Sequence, residues 1–252
     1  MQAMKFYYHD LGYWFLSFIV LAFAGFYTTY FTIIFEPIPA LIHAHFVLMA
    51  LWILMLIAQP FLIKYKKLSW HRLLGKASYV LVPLLLITAF LLIRYGYYRH
   101  IDELHQEVAK GLKHYAEAEI LKRAAAEPIA LIYFLWFVVF YILAIKHRHK
   151  SSKHTRYMLA TALTLTGPTV DRILGIHFKI ESIAGISSYI VSFLMIDMVL
   201  SVLLYIDYQN KRETQTLWTC LIIYVVGQLL FYTLPTFDGW AAFMQMMMMT
   251  KP

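Results

Sequence analysis

Seven stretches of this sequence are long and apolar enough to cross a bilayer, and no other feature constrains the fold as strongly. Residues 11–35 carry no charged side chain, and residues 41–63 carry only two histidines. Hydrocarbon about 30 Å thick takes roughly 20 such residues per helical crossing. The spans fall at about 11–35, 41–63, 73–96, 128–146, 155–175, 183–208 and 216–234. Residues 1–252 therefore read as one transmembrane helical bundle, an all-α polytopic membrane protein with seven transmembrane helices. Charged residues make up 14% of the chain, well below the roughly 25% of an average soluble domain. The single cysteine, Cys220, lies in the last span, which excludes a disulfide framework, a zinc ribbon and a CxxCH haem-attachment site.

A net charge of +8 could point to nucleic acid, but the placement of the charges argues for membrane orientation instead. With the N-terminus inside and the chain alternating, the cytoplasmic segments hold 13 Lys/Arg, from Lys5 to Arg212, against three acids. The external segments hold eight Lys/Arg against nine acids. This is the positive-inside asymmetry, and it predicts an N-in, C-out protein of the bacterial inner membrane. Its basic residues then face anionic lipid, and no nucleic-acid partner is implied. Ala22-Phe23-Ala24 resembles a signal-peptidase site, but the apolar run continues to Phe35, as in a retained anchor.

Two further segments lie outside the spans. Within residues 99–127, Ile101, Leu104, Val108, Leu112 and Tyr115 recur at helical spacing among charges. That pattern predicts an external amphipathic helix between helices 3 and 4, with His100, His105 and His114 on its solvated face. The tail from Pro235 to Pro252 carries Trp240 and the run Met246 to Met249, which suits an outer-interface segment. Cu(I) binding is the alternative for the methionines.

Ionisable groups inside a bilayer are costly and usually mark a site, so the histidines take priority. On a helix, His45, Met49, Trp52, Leu56 and Gln59 line one face, which should turn into the bundle. His43 is about 200° around from His45, so the two cannot easily share one metal on a regular helix. The alternative to a ligand is a buried His45 bonded to a carbonyl or an acid. His71 and His154 stand at the cytoplasmic entries of the third and fifth spans, at a shared depth. Two neutral imidazoles on neighbouring helices are what a bis-histidine haem b requires. Against this stands the interfacial histidine that binds lipid headgroups. Asp171 and Arg172 near the outer end of the fifth span, and Asp197 in mid-membrane, complete a polar core with Trp52 and Gln59. For the first two, a structural Arg–Asp pair competes with proton relay or anion binding.

The series His45-x-x-x-Met49-x-x-Trp52, Gln59, His71-Arg72-x-Leu74-Gly75, and His154-x-Arg156-Tyr157-Met158 with Pro168 and Arg172 resembles a family of uncharacterised bacterial polytopic membrane proteins. Those proteins typically read HG..M..W......Q, then HRRLG, then HKRLM and a distal PA..R. The match spans about 40–175, and Phe46 replaces the usual glycine. A looser similarity links the chain to transmembrane cytochrome b electron carriers of the ascorbate-dependent type, which hold two haems between four histidine-bearing helices. That similarity implies His45, His71 and His154 at three of the four positions. The fourth span has no intramembrane histidine, so one inner haem between His71 and His154 is implied rather than two.

Three functions follow. The first is a haem b electron carrier exchanging electrons with quinone or a membrane protein partner. The second is a non-redox transporter, receptor or accessory subunit with a buried His/Arg/Asp core. The third is an intramembrane enzyme holding zinc or iron on residues such as His45, Asp171 or Asp197, which needs three converging ligands.

Overall fold

The computed structural model describes residues 8–249. Lys5 and the last three residues of the tail lie outside the described residues. The fold is all-α apart from one short hairpin. Five helices are long and apolar enough to cross a membrane: α3 (Ala40–Lys64), α4 (Leu68–Ala109), α6 (Ile129–Lys146), α9 (Tyr189–Gln209) and α10 (Gln215–Thr233). Their outward faces carry exposed Val47, Val80, Ile142, Met198 and Ile222, each more than half accessible. A protein in water would bury an apolar girdle of this extent, whereas lipid solvates it. The chain is an integral membrane protein.

Among the described residues, the other two expected crossings are not single helices long enough to span a membrane. The first consists of α1 (Leu11–Phe15) and α2 (Ser17–Phe26), which end well short of Phe35. Gly25 lets α2 close on the fifth crossing, since a Cβ there would sit 2.8 Å from the Thr169 carbonyl oxygen. The fifth crossing is broken into α7 (Ser151–Leu163), α8 (Thr166–Arg172) and a π-helical turn, Ile173–His177. Pro168 explains the break. It offers no N–H to the Thr164 carbonyl, and its ring displaces that carbonyl from the helical path. Thr164 Oγ1 donates instead to the Thr161 carbonyl at 2.7 Å. The sixth crossing starts later than expected, because Ser182–Ile183 (β1) pairs with Ile186–Ser187 (β2) in a tight hairpin. Ala184 and Gly185 both take positive φ there, as a two-residue type I′ turn requires.

The external amphipathic helix expected over 99–127 is corrected. Its first half prolongs α4, which runs through Pro83 to Ala109 without a break, because Ile101, Leu104 and Val108 pack against Ile120 and the tail. Gly111, at φ 70°, ends that run. A separate short helix, α5 (Glu117–Ala124), follows. The tail folds back as α11 (Trp240–Met248), and Trp240, Met244 and Met248 pack with Tyr97, Ile101, Leu104 and Ile120 in a second small core. Trp240 Nε1 donates to the Ala125 carbonyl at 2.7 Å, and Arg94 Nε to the Met248 carbonyl at 2.7 Å. This cap closes one end of the bundle. The opposite end gathers the short α3–α4, α6–α7 and α9–α10 connections with their lysines and arginines, and is called the basic end below.

Candidate functional site

A cavity of about 600 Å³ opens at the basic end between α1, α3, α4 and α7. Trp52 and Gln59, two turns apart on α3, line it together with His71 and Gly75 one turn apart on α4 and His154 and Met158 one turn apart on α7. Phe15, Met55 and Leu56 make apolar wall, while Arg72, Lys76 and Arg148 make a cationic rim. The structure therefore brings together four residues singled out from sequence: Trp52, Gln59, His71 and His154.

Local bonding orients the His154 imidazole, whereas at His71 it reaches only the backbone. The Ala144 carbonyl accepts from His154 Nδ1 at 2.9 Å, so the neutral ring keeps its lone pair on Nε2. Gln59 Nε2 donates to the His71 carbonyl at 3.3 Å, tying the first turn of α4 to α3. His71 Nδ1, Gln59 Oε1 and Trp52 Nε1 are buried without a hydrogen-bond partner in the protein. Three such atoms on one cavity wall form a concentration of unmet polarity, which native proteins keep rare.

Behind this wall lies a buried ionic network that sequence reasoning missed. Arg156 on α7 donates to Asp207 Oδ2 on α9 from both Nε and Nη2, at 3.0 and 2.6 Å. Both side chains are almost fully enclosed, at 3% and 0% exposure. Tyr8, which also lines the cavity, donates to the same Oδ2 at 2.6 Å and lies under the Arg156 guanidinium. Burial, then the bond to Asp207, pushes the Tyr8 hydroxyl well above the ordinary tyrosine range. Arg212 stands 3.5 Å from the other Asp207 oxygen. Arg156 and Asp207 count only as cytoplasmic charges in a one-dimensional reading. The available signal was the place of Arg156 inside His154-x-Arg156-Tyr157-Met158.

The remaining polar residues lie elsewhere. His45 Nδ1 is 3.1 Å from Thr88 Oγ1 on α4, toward the cap end. His43 turns to Tyr30, at 3.0 Å from its hydroxyl, so these two histidines do not share a site. Asp171 and Arg172 do not pair. Neighbouring helical residues point about 100° apart, and the two diverge accordingly. Asp171 Oδ2 accepts from Tyr133 Oη at 2.5 Å, whereas Arg172 Nη1 donates to the Pro168 carbonyl at 2.9 Å and lies over the Phe26 ring. Asp197 stands apart from both groups and accepts from Gln228 Nε2 at 3.0 Å.

No family model, curated protein or solved structure matches this chain.

The chemistry must then be read from the residues. Among the described residues, no three His, Cys, Asp or Glu side chains converge as metal ligands would. The zinc or iron enzyme considered from sequence finds no three-ligand set among the described residues. The basic-end cavity combines two histidines, an apolar wall and a cationic rim, which suits an amphipathic ligand with anionic groups.

Proposed function

We propose that this protein is a haem b-binding electron carrier of the bacterial inner membrane. His71 and His154 would hold the haem as axial ligands in the basic-end cavity. The observation that carries this reading is that both imidazoles, from helices separated by the cavity, line the same 600 Å³ space. His154 is in the tautomer that a ligand needs, because Ala144 takes the Nδ1 proton. Apolar Phe15, Trp52 and Leu56 suit a macrocycle, and Arg72, Lys76 and Arg148 suit its propionates. A haem with both axial positions filled supplies one-electron transfer, with a quinone or a membrane protein as the exchange partner. The motif resemblance described above implies the same pair.

In this reading the composite α1–α2 and α7–α8 segments complete seven crossings, and the basic end faces the cytoplasm. Cysteine labelling at residues 147–153 from the cytoplasmic side alone is the expected result. Absorption of the detergent-purified protein tests the cofactor: a Soret band with sharp α-bands on reduction is expected, and a protein without either rejects it. A second reading, a non-redox transporter or accessory subunit, is favoured by the buried Arg156–Asp207 pair. It predicts a colourless protein that keeps this pair for its fold or its transport cycle.

A further inference from the structure

Asp171 is a half-buried carboxyl in the cap-end half of the bundle, and the side chain that bonds it is neutral. Its Oδ2 accepts from Tyr133 Oη at 2.5 Å, and Ser192 Oγ lies 3.2 Å beyond that hydroxyl. Its Oδ1 is buried with no partner. Arg172, the adjacent cation on the same helix, points to Pro168 and Phe26 instead. Gly167 makes the arrangement possible, because a Cβ at that position would overlap the Tyr133 ring. A permanently ionised aspartate in such a place would be expected to recruit the nearby guanidinium, since an unpaired buried charge is costly.

We infer that Asp171 is a proton-binding site that exchanges one proton with the medium at the cap end of the bundle. In the ionised form it accepts from Tyr133, as seen here. On proton uptake, carboxylate becomes carboxylic acid, and no electron or other bond changes hands. The new O–H at Oδ2 donates to Tyr133 Oη, whose own hydrogen turns toward Ser192 Oγ. Both states are thus hydrogen-bonded by the same three side chains. Entry is supplied by Glu127, exposed at the cap end, and Tyr189, whose hydroxyl donates to Glu127 Oε2 at 3.0 Å. Ser192 Oγ, beside the Tyr133 hydroxyl, donates to the Tyr189 carbonyl at 2.9 Å and so ties Tyr189 to the site.

The groups bearing on the titration are few. They are Arg172 on α8, Tyr133 on α6 and Tyr189 on α9 with Glu127 behind it, while Asp197, further along α9, is held by Gln228. The exposed His177 ends the π turn that follows. The α2 face packed on α8 carries no ionisable residue, and the titratable residues of α7 lie toward the basic end. This site is independent of the haem reading, and a colourless protein would leave it unaffected.

Infrared spectroscopy of the full chain in lipid nanodiscs, titrated with pH, tests the inference. The wild type should show a protonated-carboxyl stretch that appears as pH falls and is missing in Asp171→Asn. A wild-type-minus-variant difference with no such band at any pH, or with a band that never titrates, overturns the proposal. Should Asp171→Asn not fold, Tyr133→Phe replaces it. Loss of the hydroxyl should shift the same band, and an unshifted band would overturn the assignment. After a rapid pH jump, the band should rise several-fold more slowly in Tyr189→Phe, and an unchanged rate overturns the Glu127–Tyr189 entry.

Discussion

Arg156 and Asp207 lie 51 residues apart in sequence and meet at 2.6 Å with almost no exposure to solvent. The pair joins α7 to α9 directly behind the cavity wall that carries His154. Charges so enclosed have lost their hydration, and only mutual attraction with further hydrogen bonds offsets that loss. Tyr8, the Ser152 carbonyl and Arg212 provide those additional contacts.

Removing one partner should therefore be far worse than removing both. Asp207→Ala alone is expected to cost about 3–5 kcal/mol, because it strands a buried guanidinium. The double change Arg156→Met with Asp207→Leu should recover most of that loss. Unfolding titrations in mixed micelles measure both. A single variant as stable as wild type would show that the pair contributes little.

The Tyr8 contribution should depend on pH in a defined direction. Its folded-state pKa lies above the unfolded value, so the stabilisation is complete below about pH 10 and is lost as pH rises further. The gap in melting temperature between wild type and Tyr8→Phe should be constant at neutral pH and narrow in strong alkali. A gap that widens with pH would contradict the burial of this hydroxyl.

His71→Ala and His154→Ala should each abolish a low-spin haem spectrum, since each removes one axial bond. His100→Ala, exposed on the α4 extension, should leave it intact. Loss of the spectrum in His100→Ala alone, with both other variants coloured, would move the haem away from the basic-end cavity.

The cap should behave as a separate unit of stability. Trp240→Ala removes the indole that bonds the Ala125 carbonyl and fills the second core, and truncations of this kind cost about 3–5 kcal/mol. Faster hydrogen exchange is expected in α5, α11 and residues 97–109, with α9 and α10 unchanged. Exchange that rises equally throughout would mean that cap and bundle unfold together.

Much of this architecture was legible in the sequence, because hydropathy is a local property. An uninterrupted apolar run such as 41–63 or 216–234 must satisfy its backbone internally in lipid, which leaves a helix as the solution. The match between those runs and α3 or α10 follows from that constraint. The place of His71 and His154 in the first turns of their helices was equally readable, because each sits among the basic residues of a helix head. Other features depended on partners distant in the chain. The apolar spacing of Ile101, Leu104 and Val108 was legible, but its continuation of α4, in place of a separate helix, depends on packing against Ile120 of α5 and Met244 of α11. Arg156 and Asp207 look like loop charges until the bundle closes over them. Asp171 and Arg172 look like a pair until the helix points them toward Tyr133 on one side and Phe26 on the other. Sequence alone marked the five helices long and apolar enough to cross a membrane and the end of each that carries positive charge. Only the tertiary structure decided which polar side chains meet, because desolvation and pairing depend on neighbours that the chain brings together from far apart.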